Sequence, residues 1–264
     1  MFKNKTVWIT GASGGLGEAL AYAFAKEGAK LILSARRESE LIRVKKNCSL
    51  PENDLLILPL DLANHDEIPS KVSFALKTFG TIDFLINNAG VSQRAFAKDT
   101  NFNVDKKLVD TNFLGTISLS KSLLPYFIQN KKGHYVVVTS VTGKYGSPFR
   151  STYAATKHAL HGFFDSLRAE HFDDNIKVTL ICPGFVRTHL TINALTGNGS
   201  PQNKMDDATD KGLSPELCAK KILSAIKNEK EEVYIGGFRE VGGVYLKRFF
   251  PLLFSKILRK AKVV

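Results

Sequence analysis

Thr6-Val-Trp-Ile-Thr10-Gly11-Ala12-Ser13-Gly14-Gly15-Leu16-Gly17, close to the start of this 264-residue chain, runs from an apolar segment into four glycines within seven positions. Val7–Thr10 has the length and β-branched content of a buried strand, and Leu16–Glu27 has the pattern of a helix, so the glycines occupy a strand-to-helix turn. Gly11, Gly15 and Gly17 put no side chain between the backbone and an anion. The helix that follows offers unpaired N–H groups and the positive end of its dipole. The spacing is G-x-x-x-G-x-G, where the commoner dinucleotide fingerprint is G-x-G-x-x-G. A glycine turn alone is a weak signal; one placed directly after the first strand and before a helix predicts a site for the pyrophosphate of a dinucleotide.

The same alternation continues outward from that turn. Leu31–Ala35, Leu55–Leu58, Asp83–Asn87, Tyr135–Ser140, Lys177–Cys182 and Val233–Ile235 are short, nearly continuous apolar runs. Between them lie helix-length patterns at Glu38–Asn47, Asp66–Phe79, Val104–Asn130 and Ser151–Phe172. Strands of this kind, each followed by a helix, predict an α/β fold: a Rossmann-like, doubly wound parallel sheet of about seven strands with helices on both faces. Asn64 with Glu67, and Ser214-Pro215-Glu216, look like helix starts. The second strand ends at Arg36-Arg37. An enzyme favouring NAD commonly carries an acid there for the ribose 2′-hydroxyl. A guanidinium fork suits a 2′-phosphate instead, so the expected cofactor is NADP(H), held in part by Arg36.

Bulk composition adds limits. Hydrophobic residues make up 44% and charged residues 23% of the chain, ordinary globular values. Cys48, Cys182 and Cys218 are too far apart for a CxxC metal site or a disulfide framework, so they are expected to be reduced and buried. No signal-peptide core precedes the first strand, and no run of about 18 apolar residues occurs, which favours a cytoplasmic location. The net charge is +12, and residues 238–264 hold seven basic residues (Arg239, Lys247, Arg248, Lys256, Arg259, Lys260, Lys262) against Glu240, a net +6 and half of the total. The excess therefore belongs largely to a tail. The expected organisation is one NADP(H)-binding catalytic domain over 1–237 and a basic amphipathic extension over 238–264.

Tyr153-Ala-Ala-Thr-Lys157 sets a phenol and an amine at i and i+4, on one face of a helix. Ser140 closes the preceding strand and Asn112 lies on the helix before that. Asn87-Asn88-Ala89-Gly90 and Pro183-Gly184-Phe185-Val186-Arg187-Thr188 stand between and after them. With TGASGGLG at 10–17 and Asp61-Leu62, these motifs resemble the short-chain dehydrogenase/reductase family, and the resemblance runs from Thr6 to about Gly236.

The resemblance implies an oxidoreductase that moves a hydride between a nicotinamide and a carbonyl or secondary alcohol. It makes Asn112, Ser140, Tyr153 and Lys157 the catalytic set: Tyr153 the acid/base, Ser140 the group that orients the substrate oxygen, Lys157 the holder of the nicotinamide ribose. Asn112 anchors a water in the proton relay. Cofactor contacts are implied for Gly11, Ser13, Gly15, Leu16, Gly17, Arg36, Asp61, Leu62, Asn88, Ala89, Gly90, Tyr153, Lys157, Pro183, Gly184, Val186 and Thr188. One departure is Gly14, where family members often carry Ser, Arg or Lys; its absence leaves Arg36 more of the 2′-phosphate to bind. The chemistry is coherent on its own terms. A tyrosine titrates near 10, and a fixed ammonium about 4 Å away, at an effective dielectric of 20, is worth roughly 3 pKa units. That sets the expectation that Lys157 draws Tyr153 towards 7.

Residues 185–212 correspond to the family's substrate lid, and Leu190, Ile192, Ala194 and Leu195 within it favour a lipophilic substrate. A short helix packed on the domain would read the same way. His65, His134, His158, His161, His171 and His189 form no metal-ligand set, and His158 and His161 are expected at a helix surface or interface. Phe163-Phe164 and Phe172 suit the core or a subunit contact, with a homodimer or homotetramer implied by the family. The tail, broken at Pro251, has the composition of a helix pair for an anionic membrane surface, or of a cover folded back on the cleft or a neighbouring subunit. No nucleic-acid-reading module is present. The alternative function is a non-catalytic NADP(H)-binding regulatory protein, which the filled catalytic positions disfavour.

Overall fold

Alternate residues of the first strand face opposite layers: Val7 and Ile9 enter one apolar core, Trp8 the other. The computed structural model describes residues 1–261. Its strands are β1 (Thr6–Thr10), β2 (Lys30–Ser34), β3 (Leu55–Ile57), β4 (Phe84–Asn87), β5 (Gly133–Val138), β6 (Ile176–Pro183) and β7 (Glu232–Ile235). They form one sheet in the order β3-β2-β1-β4-β5-β6-β7, with every neighbouring pair parallel. The expected fold class is borne out.

The helices are α1 (Gly15–Lys26), α2 (Glu38–Cys48), α3 (Ile68–Phe79), α4 (Phe102–Val109), α5 (Gly115–Gln129), α6 (Ser151–Glu170), the single turn α7 (Asp207–Asp210), α8 (Pro215–Lys227), α9 (Phe238–Phe249) and α10 (Pro251–Leu258). Leu20 and Phe24 of α1, Leu41 and Val44 of α2, and Ile222 and Ile226 of α8 fill one face. Val72 of α3, Leu119 and Leu123 of α5, and Leu160 and Phe164 of α6 fill the other. Burying the sheet on both sides is what makes its strands read as unbroken apolar runs.

Three expectations need correction. The helix read over Val104–Asn130 is two helices joined by a π-helical turn, Asp110–Leu114. Gly115, which follows it, is where the chain passes so close to the loop after β3 that an added Cβ would lie 2.1 Å from the Leu62 carbonyl oxygen. The extra residue of the π turn lets α5 make that approach and leaves Asn112 fully buried. Asn64 and Glu67 do pair, at 2.7 Å, but Asn64 precedes and Glu67 ends a 3₁₀ turn (His65–Glu67) ahead of α3, and neither side chain caps a backbone N–H of the turn or of α3. His161 is buried in the core, because its ring reaches Thr139 at 3.1 Å. Ser214, by contrast, caps α8 as expected, accepting from Leu217 N at 3.2 Å.

The break at Pro251 is also as expected: α9 and α10 meet there at an elbow. Among the tail's basic residues, Lys262 lies outside the described residues.

Candidate active site

The strand order reverses between β1 and β4, and at such a point the loops leaving the strand ends diverge and open a crevice. The glycine turn leaves β1 there, Asn88–Gly90 leaves β4, Ser140 lies just past β5, and Gly184–Thr188 leaves β6. The fold alone therefore gathers the sequence motifs at the carboxyl edge of the sheet.

The turn is shaped by backbone fitted against backbone. Gly11 and Gly15 adopt left-handed φ values of 68° and 55°. A Cβ on Gly11 would stand 2.8 Å from Ala89 Cα, and one on Gly17 only 2.1 Å from the Gly11 carbonyl oxygen. Helix α1 starts without a side-chain cap, so its first N–H groups stay open to an anion. This is a cradle that fits a pyrophosphate. Thr188 closes it from above: a Cβ on Gly15 would touch the Thr188 side chain at 3.1 Å. Arg43, which no sequence motif singles out, pairs with Glu18 at 2.7 Å and reaches the Ser13 carbonyl at 3.5 Å. It holds the Glu18 carboxyl below the usual carboxylate range and so neutralises an acid in the first turn of α1.

Further along the cleft, Arg36 stands exposed past the end of β2, and Leu62 is buried. Asp61 closes its own turn by accepting from Ala63 N at 3.0 Å. Asn88 ties two loops together. Its side-chain amide donates to the Thr10 carbonyl at 3.0 Å, while the Thr10 hydroxyl receives the N–H groups of Asn88 and Ala89 at 3.0 and 3.1 Å. Residues 10–11 and 88–89 are thereby clamped to each other.

Tyr153, Lys157, Ser140 and Asn112 converge beyond Gly90. A Cβ on Gly90 would lie 3.2 Å from Asn112 Oδ1 and 3.7 Å from Lys157 Nζ, so a glycine there keeps the gap between them open. Asn112 accepts from Val91 N at 2.7 Å and donates to the Val91 carbonyl at 2.9 Å, fixing the exit of β4. Lys157 Nζ donates to the Val138 carbonyl at 2.8 Å and lies 5.8 Å from the centre of the Tyr153 ring. Burial lowers its pKa to about 8.

The expectation that Lys157 draws the Tyr153 phenol downward is not met here. Burial raises that phenol, and the groups opposing the rise are Arg150, then Arg94, then the Ser140 hydroxyl. The ammonium is turned towards β5, where a carbonyl solvates it. Ser140 accepts from Thr142 N and from the Thr142 hydroxyl, at 3.1 and 2.9 Å, and faces the Pro183 carbonyl at 3.4 Å.

Four functional-looking residues, Gln93, Arg94, Arg150 and Asp206, carry no sequence motif. Gln93, fully buried, accepts from Thr152 N at 3.0 Å and Tyr153 N at 3.3 Å, and so caps α6 at the residues that place the phenol. Asp206, from the long segment between β6 and α8, is buried between two arginines: it pairs with Arg94 at 2.6 Å and lies 3.5 Å from Arg150. Arg150 stacks on Phe185 at 5.3 Å, and burial lowers its pKa to about 10. Asp206 and Gln93 meet partners more than fifty positions away in the chain, and no local pattern announces them. In the segment expected to be a lid, Leu195 turns inward onto Val104 and Leu108 of α4. Ala194 is likewise fully buried, so this part of the segment behaves as packing.

His161, Cys182 and Glu232 also converge. Cys182 meets His161 Nε2 at 3.7 Å, whereas Glu232 approaches Nδ1 at 3.4 Å. One ion cannot bond both ring nitrogens, so the three groups do not make a shared metal site. Burial pushes the Cys182 thiol up to about 12, which leaves it unreactive.

Residues 5–198 match the family model described as short chain dehydrogenase. The dehydrogenase/reductase SDR family protein 7-like of Anopheles gambiae is 44% identical over 262 residues, covering 97% of this chain and 83% of that protein. A Burkholderia phymatum short chain dehydrogenase/reductase solved with NAD superposes with a TM-score of 0.85 at 24% identity, covering 96% of this chain and 95% of its own. A Thermococcus sibiricus alcohol dehydrogenase complexed with 5-hydroxy-NADP gives 0.76 at 23% identity, covering 89% and 97%. The chain is an oxidoreductase of the short-chain dehydrogenase/reductase family, built on a fold that binds a nicotinamide cofactor.

Proposed function

We propose that this protein is an NADP(H)-dependent carbonyl reductase or alcohol dehydrogenase in which Tyr153 exchanges a proton with the substrate oxygen. The observation that carries this reading is the meeting of Tyr153, Ser140, Lys157 and Asn112 at the carboxyl edge of the sheet, beside an open phosphate cradle. A bound nicotinamide supplies or takes up the hydride. Ser140 hydrogen-bonds the substrate oxygen and steadies the negative charge that develops on it. Tyr153 donates the proton in reduction and removes it in oxidation. Arg150 and Arg94 favour the phenolate against the effect of burial. Lys157 and Asn112, brought together across Gly90, are suited to hold the nicotinamide ribose and to pass the proton outward.

Choice of NADP(H) rests on Arg36, an exposed guanidinium past β2 where an acid would favour NAD. A lipophilic substrate is supported by the half-buried Phe185 and exposed Leu190 at the near end of the lid. The half-buried Phe163 on α6 supports assembly with a second copy.

A ketone panel weighted towards lipophilic compounds, run with NADPH and NADH on wild type and Tyr153→Phe, tests the reading. The expected result is preference for NADPH and a loss of roughly 10²–10⁴-fold in turnover in the variant, the range of general acid–base catalysis. Turnover surviving within tenfold in Tyr153→Phe overturns the mechanism, and equal use of NADH overturns the cofactor assignment.

A further inference from the structure

The end of the chain is held to the body on one side and left bare on the other. Val244 and Phe254 are buried, the Phe254 ring packs on Tyr145 at 5.1 Å, and Tyr245 meets Tyr234 edge-on at 6.0 Å. The outward side carries large apolar groups. Phe238 is 92% and Leu252 81% exposed, and Phe249, Phe250, Leu253 and Ile257 are each at least half exposed. Phe238 and Phe249 lie at i and i+11, so they share one stripe of α9, and Tyr245 between them at i+7 stays half exposed while one edge meets Tyr234. The elbow at Phe249–Leu253 continues the apolar surface into α10.

Around this surface stand Arg239, Lys247, Arg248, Lys256, Arg259 and Lys260, all exposed or partly so. The sole acid of the described tail is Glu240, and it is already engaged: its carboxylate accepts from Phe185 N at 2.9 Å and from Gly237 N.

We propose that α9 and α10 form a docking face for an anionic phospholipid bilayer, with the elbow apolar residues entering the headgroup boundary and the six cations meeting the lipid phosphates. Two features select this occupant. Scattered apolar residues are normal on a surface, but six within residues 238–257, five of them gathered about one elbow and rimmed by one sign of charge, are not. A second copy docking through the same face would set six cations against six, with no acid of the described tail free to answer them; a bilayer with acidic headgroups supplies the missing charge. Lysine and arginine stems can lie along the apolar band while their heads reach the lipid phosphates. Because Glu240 is bonded to Phe185, docking places the bilayer beside the segment that leaves β6 at the cleft.

The test is sedimentation of the full-length protein with vesicles of phosphatidylcholine alone or of phosphatidylcholine mixed with phosphatidylserine. It needs neither substrate nor cofactor, so its outcome is independent of the catalytic reading. The wild type is expected to sediment with the phosphatidylserine vesicles, less so as salt rises, and weakly with phosphatidylcholine alone. Each basic residue near such a surface is worth about fivefold in partitioning. Lys247→Glu/Arg248→Glu is therefore expected to bind at least about tenfold more weakly, and Phe249→Ser/Leu252→Ser to lose most binding. All four side chains project from the body of the protein, so both variants should melt at the wild-type temperature, which keeps misfolding out of the comparison.

The proposal is overturned if the wild type ignores both vesicle types, or if the double serine variant binds as the wild type does. It is equally overturned if the face instead drives concentration-dependent self-association in gel filtration that the serine variant abolishes.

Discussion

The two walls of the cleft around Tyr153 are built from different materials. On the cofactor side, residues 10–17 and 88–90 meet backbone to backbone, with glycines where any side chain would collide and Thr10 and Asn88 tying the loops. On the side of residues 185–212, the contacts are buried charges and amides drawn from distant parts of the chain: Arg94 to Asp206, Arg150 to the same carboxylate, Gln93 to the start of α6. The first wall is rigid because sterics leave it no alternative. The second holds only while each polar partner is present, since a buried charge left alone is costly.

That contrast can be broken from either side, and the largest effect is expected at Gly17. A Cβ there would press on the Gly11 carbonyl at 2.1 Å, a clash with backbone that cannot swing aside. Gly17→Ala should lose cofactor binding altogether, measured by the change in NADPH fluorescence on binding, and drop the melting temperature sharply. Retention of wild-type affinity would show that the turn is softer than described.

Next is Asp206→Ala, which strands Arg94 and Arg150 without their carboxylate. Loss of one partner of a buried ion pair costs about 3–5 kcal/mol. Chemical denaturation should show that loss, and limited proteolysis should find the 191–213 segment newly cleavable, with cofactor affinity little changed. A variant as stable as wild type would mean the segment is held elsewhere.

A pH effect of intermediate size belongs to Lys157. Its folded pKa is lowered to about 8 by burial, while an unfolded lysine keeps its proton to about 10.5. Between those values the unfolded chain binds more protons, so the stability of the cofactor-free protein should rise with pH by up to about 1.4 kcal/mol per unit. Lys157→Met should flatten the rise between about pH 8 and about pH 10. An identical profile in both proteins would assign the ammonium a hydrated environment.

The smallest effect on stability, about 1 kcal/mol, is expected for Gln93→Ala, which removes the acceptor at the start of α6. Gln93 acts through Tyr153 as a positioning residue, so kcat should fall while KM barely moves. Gln93→Glu, which keeps an acceptor oxygen, should restore most of the rate. An equal change in kcat and KM would reduce the role to general support.

Much of this molecule was legible from residue order alone. The alternation of apolar strands with helices dictated the sheet, because a parallel strand buried on both faces leaves an unmistakable run. The glycine turn, Asn88–Gly90, Ser140 and the Tyr153/Lys157 pair were visible because each is a local pattern, complete within a few residues. The tail's break at Pro251 was equally local, since proline cannot continue a helix interior. Other features required the tertiary structure. The π turn that buries Asn112 depends on how closely Gly115 can approach Leu62. The direction of the Lys157 ammonium depends on which carbonyl lies within reach. The burial of Leu195, the capture of Asp206 by two arginines, and the engagement of Glu240 that leaves the tail's cations unanswered all join residues dozens of positions apart. Local sterics and backbone propensity are written in neighbouring residues; the partner of a buried charge is decided only when the folded chain brings distant segments together.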